Sequence, residues 1–98
     1  MKNLAKAAGT LKLLGNQTRL RILCQLLDGA CCVKDISDGL SLPQATVSQH
    51  LALLRNNEIV TATRRGTQVC YRLTDTNTKN ILSALHAETR ARRPRCAK

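Results

Sequence analysis

Leu42-Pro43-Gln44-Ala45-Thr46-Val47-Ser48-Gln49-His50-Leu51-Ala52-Leu53-Leu54-Arg55 is the stretch on which the fold turns. Pro43 suits the opening of a helix, because its fixed φ and missing N–H cost nothing in a first turn. Val47, Leu51 and Leu54 recur at helical spacing, which predicts a helix to about Asn56 with that stripe buried. Gln44, Ala45, Thr46, Ser48 and Gln49 are then left on the outer side of its N-terminal half. They are short, uncharged and free of acid, at the helix end whose dipole favours phosphate. Gln bonds adenine bidentately, and Thr or Ala touches a thymine methyl, so the set suits a major groove. Ser48 and the helix N–H groups are placed to hold the phosphate backbone. The plainer reading of the same face is a solvated polar surface.

Upstream, Leu4, Ala7, Ala8, Leu11 and Leu14 follow helical spacing up to Gly15. Asn16 caps a second helix with the stripe Leu20, Leu23, Cys24 and Leu27, ended by Asp28-Gly29. A short helix over about 33–39 turns Val33, Ile36 and Leu40 inward and hands over through Leu40-Ser41-Leu42. Downstream of Asn56-Asn57 the apolar period changes from helical to alternating. Segments 59–64 and 68–73 are rich in Val, Thr and Tyr, and Arg65-Gly66-Thr67 between them predicts a hairpin. Asp75 or Thr76 caps a last helix with the stripe Thr78, Ile81, Leu82, Leu85 and Thr89. The fold class is therefore mostly α with a small β-hairpin: a winged helix-turn-helix in residues 1–90. The apolar stripes of the first and last helices exceed what so small a core absorbs, and pairing them across a two-fold axis predicts a homodimer.

Arg64 and Arg65 flank Gly66 at the hairpin tip, with Arg72 on the returning strand. A cationic tip beside a polar helix is what a wing needs to reach phosphates or a minor groove, although exposed arginines also simply protect a sheet edge. Charge at large agrees. Of 98 residues, 16 are Lys or Arg and 6 are Asp or Glu, a formal +10 that points to a polyanionic partner. Arg90, Arg92, Arg93, Arg95 and Lys98 concentrate part of it at the end, and residues 91–98 read as a basic, disordered tail beyond Pro94.

Phe and Trp are absent and Tyr71 is the lone aromatic, so the core is aliphatic. No apolar run approaches the ~20 residues that span a bilayer, and the first residues lack a secretory apolar stretch, which together predict a cytoplasmic product away from membranes. The five cysteines, Cys24, Cys31, Cys32, Cys70 and Cys96, are an odd number without repeated spacing, which speaks against a secreted disulfide scaffold and for reduced thiols. No Cys-x-x-Cys pair supports a zinc ribbon. Few acids, two histidines and no glycine-rich phosphate loop leave little for an enzyme. A winged helix used to bind protein would need neither the basic tip nor the acid-free helix face.

The sequence resembles the ArsR/SmtB family of dimeric bacterial repressors in three places: residues 14–23 (Leu-Gly-Asn-Gln-Thr-Arg-Leu-Arg-Ile-Leu), residues 42–55, and residues 65–73 (Arg-Gly-Thr-Gln-Val-Cys-Tyr-Arg-Leu). The resemblance implies a repressor bound to double-stranded operator DNA and released by an inducer, and one recognition helix per chain of a homodimer predicts an inverted repeat. In the arsenic-sensing branch a three-cysteine element opens the helix before the recognition helix. Here only Cys32 falls on a ligand position, Lys34 and Ser37 replace the other two, and Cys31 adds a neighbouring thiol. As(III) or another soft metal ion at Cys31 and Cys32 would draw a third ligand from Cys24 or Cys96. Alternatively, Cys24 resembles a thiol of the persulfide-sensing branch, with Cys96 beyond the expected partner position, now Arg90, as its redox mate. The family's last-helix zinc site is poorly matched, since Asp75, His86 and Glu88 are present but Asn77 replaces a histidine. A chain with no cysteine-linked inducer is the remaining alternative, and Cys70 has no assigned role.

Overall fold

The computed structural model describes the backbone of residues 3–89 and the side chains of residues 3–85. Helix α1 (Leu4–Leu14) begins where the Asn3 carboxamide accepts the Lys6 N–H at 2.9 Å, and ends as the Gly15 N–H turns back to the carbonyls of Leu11 and Lys12. Helix α2 (Gln17–Gln25) repeats the device, with Asn16 accepting from the Arg19 N–H at 3.0 Å. Such caps satisfy N–H groups that the helix itself cannot. Helix α2 closes before the expected Asp28-Gly29, in a turn where the Gly29 N–H reaches the Leu26 carbonyl.

Helix α3 (Val33–Leu40) and helix α4 (Gln44–Asn56) form the helix-turn-helix. Between them Ser41 sits in the left-handed region at φ 57°, which lets the Leu42 N–H close on the Ser37 carbonyl at 3.0 Å. Pro43 is the N-cap of α4 rather than its first helical residue, with extended backbone and no side-chain hydrogen bond. The wing is β2 (Val60–Arg65) paired antiparallel with β3 (Gln68–Leu73), Thr63 opposite Cys70 and Arg65 opposite Gln68. Its turn is Gly66-Thr67 alone, Arg65 belonging to the strand. Gly66 at φ 64° supplies the positive first position that a two-residue turn of this kind requires. Asp75 precedes helix α5 (Thr76–Thr89), and its carboxylate accepts both the N–H and the hydroxyl of Thr78, at 3.0 and 2.6 Å.

One strand was not foreseen. Strand β1 (Cys31–Cys32) adds to the free edge of β3, giving a three-stranded sheet in the order β1-β3-β2 with Cys31 opposite Tyr71 and Cys32 opposite Cys70. Two residues carry no periodicity, so only the partner strand reveals them.

Ile22, Leu23, Leu26, Ile36, Val47, Leu51, Leu54, Ile59, Leu73 and Leu82 make an aliphatic core between the helices and the sheet, with Tyr71 against it. The α3 and α4 stripes face it as expected, except that Val33 is only partly covered. The α2 stripe is rotated: Leu20, Cys24 and Leu27 are half-buried, whereas Ile22 and Leu26 are fully enclosed. Helix α2 packs against α1, α3 and α5 at once, so its buried arc is wider than one stripe. Leu4, Leu11 and Leu85 remain more than half exposed on α1 and α5. Among the described residues no helix is long and apolar enough to cross a membrane.

Candidate nucleic-acid interface

Helix α4 turns Val47, Leu51 and Leu54 into the core and leaves Gln44, Ala45, Ser48 and Gln49 exposed, with Thr46 half-buried at their edge. The side chains proposed to meet a duplex are therefore outside the fold. With no side-chain cap at Pro43, the first N–H groups of α4 also face outward without a protein acceptor from that residue.

The wing tip stands beside this helix end. Gln44 and Ser48 share one cleft of about 340 Å³ with Thr67, Gln68 and Val69 of the hairpin and with Lys34 of α3. Arg64 and Arg65 are exposed at the end of β2, immediately before the turn. Lys34, Thr67 and Gln68 were not singled out from the sequence. Lys34 lies three residues before the buried Ser37, on the side of α3 facing the wing; it lines the cleft while its ammonium donates to the Asp38 carboxylate at 3.3 Å.

Behind the interface, α4 is held by α2. The Arg19 guanidinium donates from Nε to the Leu13 carbonyl at 2.8 Å and from Nη1 to His50 Nδ1 at 3.3 Å. Arg21 Nη2 donates to the Leu40 carbonyl at 3.2 Å, tying α2 to the end of α3. Burial, and secondarily the Arg19 charge, push the His50 pKa below its ordinary value, so the ring is a neutral acceptor. His50 thus belongs to the scaffold of the helix-turn-helix.

The cysteines are arranged differently from expectation. Cys32, the N-cap of α3, forms a disulfide with Cys70 on β3, its register partner across the sheet. Cys70 thus has a partner that its sequence position gave no reason to assign. Cys31 and Cys32 lie on an extended strand, not a helix start, so their side chains project to opposite faces. Cys24 is the free thiol among the described residues, and burial pushes its pKa up, which disfavours the reactive thiolate. Cys96, its suggested redox partner and a suggested third metal ligand, lies outside the described residues, as do the tail at 91–98 and the side chains of His86 and Glu88. Among the described residues no group of three or more His, Cys, Asp or Glu side chains is placed to hold a metal ion.

Known proteins show the same organisation. A family model described as "Bacterial regulatory protein, arsR family" matches residues 16–62. The transcriptional activator HlyU of Vibrio cholerae is 42% identical over 85 residues, covering 87% of this chain and 79% of that protein. Its solved structure superposes with a TM-score of 0.86 at 40% identity, over 92% of this chain and 98% of that one. The HTH-type transcriptional repressor SmtB of Mycobacterium tuberculosis is 38% identical over 82 residues, covering 83% of this chain and 61% of that protein. A DNA-binding domain from Mycobacterium bovis described as a homodimeric winged helix-turn-helix aligns with a TM-score of 0.77 at 28% identity, over 89% of this chain and 81% of that one. With its capped α2, its exposed recognition helix and its basic wing, the chain belongs to the ArsR/SmtB family of bacterial DNA-binding transcriptional regulators.

Proposed function

We propose that this chain is a homodimeric repressor that reads an inverted-repeat operator, one recognition helix entering each of two successive major grooves ~34 Å apart. The observation that carries the reading is the cleft in which Gln44 and Ser48 of α4 meet Thr67 and Gln68 of the wing, beside exposed Arg64 and Arg65. A solvated polar helix face would not need a cationic hairpin seated next to it. Exposed Leu4, Leu11 and Leu85 supply the apolar face that dimerisation would cover. SmtB is named a repressor and the Mycobacterium bovis domain a homodimer, both in keeping with this reading, while HlyU is named an activator.

Duplexes selected from a random pool test it. Enriched sites should be inverted repeats, and affinity should fall steeply between ~50 and ~200 mM salt as released counterions oppose binding. Enrichment of no site at all, with weak salt dependence, would instead make this winged helix a protein-binding module.

The inducer acts on cysteine thiols. Engagement of Cys32 with Cys70 and the opposed directions of Cys31 and Cys32 favour redox chemistry as the input. As(III) or another soft metal ion at Cys31 and Cys32, completed by Cys24 or Cys96, is the reading for the reduced chain, because ligation needs thiolates. Arsenite, cadmium, zinc and a polysulfide should be compared for operator release from the wild type and from single Cys→Ser variants. Release by arsenite that survives loss of both Cys31 and Cys32 removes the metalloid reading.

A further inference from the structure

The Cys32–Cys70 bond opens onto a cleft of about 710 Å³ whose wall carries charges of both signs: Arg65 and Arg72 from the wing, and Asp28 and Asp35 from the segments around β1. This cleft shares only Tyr71 with the Gln44–Ser48 groove. Cys32 is half-exposed, whereas Cys70 is 6% exposed, so an incoming reagent meets the Cys32 sulfur first. A disulfide, two cations and the Asp35 carboxylate around one open cleft describe a docking place for a small molecule that carries a thiol, a carboxylate and an ammonium group.

We propose that Cys32–Cys70 is a thiol–disulfide exchange site for a small zwitterionic thiol of the amino-acid or short-peptide class, and that its state sets how firmly the wing is coupled to the helix-turn-helix. The thiolate of the small molecule attacks Sγ of Cys32, the protein S–S bond breaks, and the Cys70 sulfur leaves as a thiolate that takes a proton from water. A second molecule of the same thiol attacks the mixed disulfide on Cys32, releasing the Cys32 thiolate and the small-molecule disulfide. Two small thiols are thereby oxidised to one disulfide and the protein disulfide is reduced to two thiols; the small disulfide drives the reverse. The carboxylate sits toward Arg65 and Arg72 and the ammonium toward Asp35. The bond joins the residue that caps α3 to the middle of β3, so breaking it removes the covalent tie there and leaves the main-chain pairing of β1 with β3 and the packing of β3 on α3 to hold the wing.

The exchange is read without DNA. The full-length oxidised protein is exposed to L-cysteine, 3-mercaptopropionate, cysteamine or 2-mercaptoethanol at equal thiolate concentration. Each rate, followed by alkylation and mass measurement of Cys70, is divided by that thiol's rate on 2-hydroxyethyl disulfide. L-Cysteine should exceed 2-mercaptoethanol about threefold to fivefold, the scale of an exposed ion pair. Arg72→Gln should erase the share due to the carboxylate, and Asp35→Asn the share due to the ammonium. Four normalised rates within twofold, unmoved by either substitution, would overturn the site; the net charge of +10 alone would favour 3-mercaptopropionate in both proteins and fail the Arg72→Gln arm.

The coupling to DNA rests on the operator-binding reading above, and it has its own arm. Oxidised protein should bind the selected duplex at least about threefold tighter than reduced protein. Cys32→Ser, which replaces the sulfur with a hydroxyl suited to the α3 N-cap, should bind at the reduced value under both conditions. Exchange with the expected charge preference but equal duplex affinity would overturn the coupling and leave the exchange site standing. Failure to bind any duplex in either state would refute the operator reading, with the exchange rates still deciding the site.

Discussion

Arg19 and His50 are 31 residues apart in sequence, yet the Arg19 guanidinium reaches 3.3 Å to His50 Nδ1 while its Nε is held by the Leu13 carbonyl. A single side chain of α2 thereby spans the end of α1 and the middle of the recognition helix. The contact requires a neutral imidazole with its proton on Nε2, and burial together with the Arg19 charge lowers the pKa of the ring to keep it so. An unfolded chain has neither constraint and binds the proton near pH 6.5. Between the depressed native value and 6.5 the unfolded state holds more protons, so stability rises with pH across that window. The contribution is complete above about pH 6.5 and is lost as pH falls through the native value. Thermal unfolding should therefore show a lower midpoint at pH 5.5 than at pH 7.5, and His50→Gln should flatten that difference. An unchanged pH profile in the variant would remove His50 as its source.

Base reading and phosphate contact separate by substitution. Gln44→Ala and Thr46→Ala should each lower discrimination between operator and random duplex, by ~1–3 kcal/mol if the side chain reads a base. Arg64→Ala and Arg65→Ala should weaken both duplexes alike and reduce the salt slope by about one each. Anisotropy titrations at several salt concentrations distinguish the two patterns, and Lys34→Ala should follow the arginines.

Ser41 occupies left-handed backbone at φ 57°, where a Cβ is a disadvantage. Ser41→Gly should stabilise the chain or leave it unchanged, within about 1 kcal/mol. Ser41→Val should destabilise it, since a β-branched residue resists that conformation. Denaturant midpoints measure both.

Asp75 satisfies two groups of Thr78, whose side chain is fully buried. Asp75→Ala removes a helix cap and orphans a buried hydroxyl, at a cost of about 2 kcal/mol. In Asp75→Ala/Thr78→Val the orphan is gone, and part of that loss should return in equilibrium unfolding.

Leu11 is 56% exposed on α1 and Leu85 51% on α5. Leu11→Glu should weaken self-association at least about tenfold in sedimentation equilibrium, with little effect on the monomer fold, because an apolar interface tolerates no unpaired charge at its centre. Undiminished association would place the dimer contact elsewhere.

The helix-turn-helix and the wing could be read from the chain because their signals are local. Val47, Leu51 and Leu54 repeat at the helical period, Asn3, Asn16 and Asp75 cap within three residues, and Gly66 must be where the hairpin turns. The exposure of Gln44, Ser48 and Gln49 follows from the same period, since a buried stripe leaves the opposite face to solvent. Three features had no local signal. The two-residue β1 exists only because β3 offers it an edge, the wide buried arc of α2 comes from packing on three helices at once, and Cys70 meets Cys32 across 38 residues. Patterns of apolar period and turn chemistry act over a few residues and are written in the chain itself. Strand partners, cross-sheet thiols and the cleft between α4 and the wing depend on which distant surfaces come to rest together, and packing alone decides that.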